Sequence, residues 1–226
     1  MDDYRKTLRL AGLVLIAVAL VDLGEMVYTM VTRGGVRSNF GLFALIPGIC
    51  LLRGSLRWAW WVAFFAAGSL GLSIGVAGLL PTIVPAGILV PAFRSYPLLM
   101  TKQSLVMLLH FAVTVWVLLK VTAPSVLMEA DRRESPEQPS LRVRPLYGFI
   151  AGTVLAAVMV IGFGSFLRSD GAQRARAEAA RKTGPGYQYF VCQLFWESAA
   201  GKTVSGGRVI AYNPLEAREM VVRWKE

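Results

Sequence analysis

Apolar residues run in long blocks before Arg168, separated by short basic or polar stretches, and after it apolar and polar positions alternate. The longest block, Trp58 to Phe93, carries no charge and is bracketed by Arg57 and Arg94. A hydrocarbon layer about 30 Å thick needs roughly 20 apolar residues of helix, and this block supplies them by Leu80. Extended along the chain, the pattern predicts five spans, at about 8–31, 38–52, 58–80, 103–122 and 146–167. The second is short and holds Pro47, so it crosses a thinned layer, begins earlier at Val36, or is re-entrant. Arg53-Gly54-Ser55-Leu56-Arg57 reads as a tight basic turn, and Trp58, Trp60 and Trp61 follow it as an aromatic belt does at a headgroup boundary.

Two stretches break the pattern. Pro81, Pro85, Pro91 and Pro97 fall within an apolar segment and predict irregular backbone, shielded by protein or held at the interface. Residues 122–145 are rich in charge and contain Pro136 and Pro139, which predicts a solvated loop.

Beyond Arg168 an Ala-rich run to Lys182 predicts a helix, capped by Ser169 or Asp170. Period-two alternation follows. Phe190, Cys192, Leu194 and Trp196 share one strand face, with Tyr189, Val191 and Phe195 on the other. Met220, Val222 and Trp224 oppose Glu219, Arg223 and Lys225. Arg208–Tyr212 is the strand between them, and Ala200-Gly201 and Asn213-Pro214 supply turns. The expected fold is mainly α. A polytopic helical membrane bundle occupies 1–168, and a small extramembrane domain over 169–226 adds a helix and a three-stranded antiparallel meander.

Composition supports this class. The chain has 226 residues, of which 55% are hydrophobic, above the roughly 45–50% of soluble domains; its mean hydropathy is +0.52. The net charge is +10. Because the Lys and Arg flank apolar runs, the partner they indicate is the lipid bilayer and not nucleic acid. The first apolar run continues past Ala17-Val18-Ala19, so an uncleaved first span is expected. Two cysteines make no disulfide framework. Cys50 and Cys192 are expected on opposite sides of the membrane, with Cys192 buried on the more apolar strand face. One histidine and two distant cysteines indicate no metal or cofactor site.

Short-loop charges favour a cytoplasmic N-terminus, and five spans then carry the C-terminal domain to the periplasmic side of a bacterial inner membrane; if 38–52 does not cross, that domain returns to the cytoplasm. Within the spans, Asp22 and Glu25 lie three apart on one helix face, and His110 lies at a matching depth. Acids within a span are candidate functional groups, and histidine titrates near neutrality. The plainer reading is a hydrogen bond between packed helices. Small residues form stripes at Ala63, Ala67, Gly71 and Gly75 and at Gly148, Gly152 and Ala156. Such stripes let helices approach closely, within one subunit or across a homo-oligomer seam.

No nucleophile–base pair or phosphate loop stands out. The expected function is therefore non-enzymatic: an integral inner-membrane protein that binds a protein partner through its β-domain. It would serve as an accessory or assembly subunit of an envelope complex, or as an immunity protein against a membrane-acting toxin. The alternative is a small proton- or cation-coupled transporter using Asp22, Glu25 and His110. A membrane enzyme acting on lipid around Pro81–Pro97 is a third reading. All of these require the expressed chain to sediment with membranes and to enter solution only with detergent; recovery in a detergent-free high-speed supernatant rejects all of them.

Overall fold

The computed structural model describes residues 3–33, 44–133, 141–184, 186–199 and 202–225. Its helices are α1 (Asp3–Arg33), α2 (Leu45–Leu52), α3 (Leu56–Leu79), α4 (Ala86–Ser95), α5 (Pro97–Val121), α6 (Pro124–Arg133), α7 (Arg144–Arg168) and α8 (Asp170–Thr183). The strands β1 (Gln188–Ala199), β2 (Lys202–Tyr212) and β3 (Ala217–Lys225) form one antiparallel sheet in the order β1-β2-β3. Among the described residues, α1, α3, α5 and α7 are long and apolar enough to cross a membrane. Two compact units divide the chain, residues 1–74 with 109–154, and residues 75–108 with 155–226.

The first unit is organised around a core at the start of α1. Tyr4, Leu8 and Ala11 pack with Leu51 of α2, Ala59, Val62 and Ala63 of α3, Val117 and Val121 of α5, and Val126 and Ala130 of α6. The expected second span, 38–52, lies partly outside the described residues. Its described part is α2, whose eight residues rise only about 12 Å. Pro47 falls in its first turn, where a missing N–H costs nothing. α2 lies against α1 at a glycine contact: a Cβ on Gly12 would come within 2.6 Å of the Gly48 carbonyl oxygen. The end of α2 reaches the first turns of α1, where Arg9 Nε donates to the Leu52 carbonyl at 3.3 Å.

The polar stretch at 122–145 is not simply a solvated loop. Its first part forms α6, whose Val126 and Ala130, four residues apart, are buried against α1. Residues 134–140 lie outside the described residues. Arg144, the first residue of α7, is 6% exposed, with its guanidinium carbon 3.2 Å from the Trp60 ring centroid. A cation opening a helix opposes the helix dipole, and the indole face compensates.

α3 and α7 meet backbone to backbone. A Cβ on Gly152 would collide with the Gly68 carbonyl, one on Gly148 with that of Phe64, and one on Gly71 with that of Phe149. Gly71, Gly148 and Gly152 of the predicted stripes therefore lie in a crossing within one chain. Ala63 and Ala67 are buried on α3, and Ala156 on α7. Gly68 belongs to the crossing and falls outside the step-of-four stripe, because the contact follows a ridge one residue over.

The second unit holds the sheet. Ala172, Ala175 and Ala179 are buried along one side of α8 and pack on Val191, Val209 and Val222, one from each strand. Ser169 caps this helix, its Oγ accepting from Ala172 N at 3.3 Å. The predicted irregular stretch 81–97 instead contains α4. Pro85 sits at its N-cap and Pro97 opens α5, positions that tolerate a missing N–H. Only Pro91 is interior, and its ring is fully buried. α4 touches β2 and β3, with Ile88 packed against Tyr212 and Ala217, on the sheet face opposite α8.

Gly152→Val forces a branched side chain into a backbone that cannot yield, so it should lower stability in detergent by at least the roughly 1–3 kcal/mol of ordinary overpacking. Gly162→Ala, where a Cβ meets open space, should be neutral or stabilise by up to about 1 kcal/mol. Denaturant titration of helical ellipticity reads both.

Candidate functional site

The sequence places candidate chemistry at two levels, the polar residues of the spans and the β-domain. On the long apolar helices, Asp22 and Glu25 are half-buried on α1. His110 of α5 is exposed, and its Nε2 lies 3.5 Å from Ser69 Oγ of α3. No hydrogen bond or ion pair joins Asp22 to His110 among the described residues, and no cluster of three metal-ligating side chains occurs among them. The partner of His110 is thus a serine that alternation and spacing gave no reason to select.

The β-domain is better defined. β1 pairs with β2 from Gln188↔Tyr212 to Ala199↔Lys202, with a bulge between Val191 and Gln193 that leaves Cys192 as the extra residue. This bulge changes which residues share a face. Tyr189 and Val191 turn toward α8, and past the bulge Leu194 joins them, while Phe190 packs on the opposite side near α4. The expected set Phe190, Cys192, Leu194 and Trp196 therefore does not form one face. Cys192 is exposed and not buried, and both cysteines are free. Partial burial still raises the Cys192 thiol above its ordinary value, and Glu219 adds to the shift, so little thiolate forms at neutral pH.

β2 begins at Lys202, six residues before the predicted Arg208. Gly206 and Gly207 sit mid-strand, where neighbours crowd them. A Cβ on Gly206 would lie 2.5 Å from the Phe195 ring, and one on Gly207 would lie 3.1 Å from Ala175 Cβ of α8. The expected Ala200-Gly201 turn lies outside the described residues.

The sheet has two outer strands with different surroundings. On β3, the first backbone N–H, from Ala217, is donated to Ser95 Oγ of α4 at 3.1 Å, so α4 closes that edge at its start. Among the described residues, the backbone hydrogen bonds of β1 go to β2 alone. Trp196 near the end of β1 is 70% exposed. Arg174, Arg181 and Lys182 are exposed on the outer side of α8, and the Arg181–Glu178 pair at 2.8 Å is a surface pair of little energetic weight.

The β2–β3 turn is locked by polar contacts. Asn213 Oδ1 accepts from the N–H groups of Leu215 and Glu216, both at 2.9 Å. The Tyr187 hydroxyl donates to Glu216 Oε1, and Arg218 Nε donates to Oε2 at 3.0 Å. Tyr187 first, then Arg218, holds the Glu216 carboxyl below its ordinary value, and the same contact raises the Tyr187 hydroxyl. The loop thus ties the entry of β1 to the exit of β2.

No protein-family model matches the chain, and no curated protein or solved structure is matched by it.

A carboxyl with a depressed folded-state value stabilises above the unfolded value, and that contribution is lost as pH falls through the folded one. Amide exchange across 213–217, corrected for the intrinsic pH dependence, should therefore accelerate in acid below the ordinary carboxylate range. Glu216→Gln should show the faster rate at all pH values and no acid step.

Proposed function

We propose that the chain is a non-enzymatic integral membrane protein that holds a strand-accepting β-domain at the membrane surface. Lipid as solvent is supported by exposure along the long helices. Buried positions end at Ala19 on α1 and Gly71 on α3, begin only at Val117 on α5, and end at Ala156 on α7. The far halves carry exposed Leu98, Leu105, Leu108 and Ile161, an arrangement that costs nothing in hydrocarbon and is unfavourable in water.

The first unit's core supports one common level for several helix ends. The starts of α1, α3 and α7, the ends of α2 and α5, and α6 all contribute to it or abut it. Five crossings, as the sequence predicts, put the C-terminal domain on the side opposite the N-terminus; if 38–52 does not cross, four crossings put it on the same side. Arg5, Lys6, Arg9, Arg53, Arg57, Lys120, Arg132 and Arg142 flank the N-terminal side. Under the positive-inside rule that side is cytoplasmic, and with five crossings the β-domain is periplasmic in a bacterial inner membrane.

The observation that carries the functional reading is the β1 edge. An outer strand with unshared backbone groups accepts an extended segment of another chain, backbone bonds supplying affinity and side chains supplying selectivity. The bulge at Cys192 interrupts this edge, leaving Gln193–Ala199 as its continuous part. The partner is thus a protein with an extended segment, as an envelope-complex subunit or a membrane-acting toxin would present. For the transporter reading, Asp22 and His110 share no hydrogen bond or ion pair among the described residues.

A photo-crosslinking amino acid placed at Gln193 in the full chain, in native membranes, should trap a discrete adduct with a different protein. The same probe at Arg174 on α8 should trap it several-fold less. Adducts formed only with a second copy of the chain, or equally from both positions, reject strand acceptance from a partner.

A further inference from the structure

α4 has two faces, and the fold accounts for one of them. Ile88, Pro91, Ala92 and Ser95 recur at helical spacing, and the first three are buried; Ile88 and Ser95 make contacts with the sheet. The other face presents Leu89, Val90 and Phe93, which are 47%, 57% and 45% exposed. Together with Arg94 they form an open, shallow apolar surface. Arg94 forms no ion pair or hydrogen bond among the described residues.

Connectivity fixes what this surface meets, on the reading that α3 and α5 cross a bilayer. α4 is separated from α5 by Tyr96 alone and from α3 by the six residues 80–85. A single residue spans at most about 3.6 Å, so α4 stays at the depth where α5 begins. That depth is the boundary between headgroups and acyl chains. The surface is also continuous in chemistry with the first turn of α5, where Leu98 and Leu99 are 87% and 57% exposed. A helix with an apolar outer face and a cation at its edge lies in the interface plane, its apolar side chains among acyl carbons. Its cation then faces lipid phosphates.

We infer that the outer face of α4 is a binding surface for an anionic phospholipid, with an acyl chain over Leu89, Val90 and Phe93 and the headgroup phosphate on Arg94. Water does not satisfy this face, because three large apolar side chains would remain hydrated beside a lipid layer. Its counterpart face carries the sheet through Ile88 and Ser95, so the lipid-bound helix is the mount of the β-domain. The inference rests on the membrane reading above. It is independent of what β1 binds.

The test uses the full chain carrying Cys50→Ser and Cys192→Ser, with Val90→Cys labelled by bimane. The protein is reconstituted in nanodiscs of phosphatidylcholine with either brominated phosphatidylcholine or brominated phosphatidylglycerol as quencher, at equal mole fraction. Both lipids should quench, and phosphatidylglycerol should be preferred by about fivefold, the enrichment expected for one basic side chain near an anionic headgroup. Arg94→Gln should keep the quenching and reduce the preference to about one. Excess inorganic phosphate should leave the preference unchanged, which distinguishes a lipid from a free anion. Absence of quenching by either lipid overturns the surface as a lipid site. Equal quenching with Arg94 intact, or a preference that Arg94→Gln leaves in place, overturns the anionic assignment. Failure of the membrane reading itself is seen separately, as protein that does not co-float with the lipid.

Discussion

The first unit depends on the crossing of α3 and α7, where glycines bring the two backbones into direct contact. Apolar side chains cannot hold helices together when the surroundings are as apolar as the helices. Close approach of Gly68, Gly71, Gly148 and Gly152 supplies dispersion contacts that bulkier residues would prevent. The same device recurs at Gly12 and Gly48, where α2 lies along α1. Larger side chains then fill the space around these contacts, from Tyr4 and Leu8 to Val117 and Leu141.

A different rule governs the β-domain. Three strands alone are marginal, and here helices cover parts of both faces. α8 meets the sheet through alanines, which let it lie close enough for the strand valines to be completely buried. α4 meets the other face near the β2–β3 turn. The glycines of β2 belong to the same economy of space. They sit where the Phe195 ring and α8 approach from opposite sides. The polar lock of Tyr187, Glu216, Arg218 and Asn213 fixes the turn without adding to the core.

These two modes of packing explain why function is more readily sought at the sheet than along the long apolar helices. Asp22 and Glu25 share a helix face, as their spacing requires, but His110 contacts Ser69. Equal depth along two helices says nothing about their rotation, and rotation decides whether two side chains meet. At the sheet, by contrast, pairing register and the asymmetry of the two edges follow from the backbone itself. α4 closes the start of one edge, and the other carries a single bulge.

By itself the sequence determined the long apolar helices, the small-residue stripes, a cap at Ser169 or Asp170 and the three antiparallel strands, because each depends on local periodicity or a local hydrogen bond. Tertiary structure alone decided the rest. It turned a polar loop into α6 by giving Val126 and Ala130 a surface to cover, and it made a helix of a proline-rich stretch by offering a sheet for Ile88 to pack on. It also moved Leu194 to the opposite strand face through one bulged residue, since a single insertion inverts a period of two. Which glycines touch and which edge stays open are properties of neighbours far apart in the chain, and no local pattern encodes them.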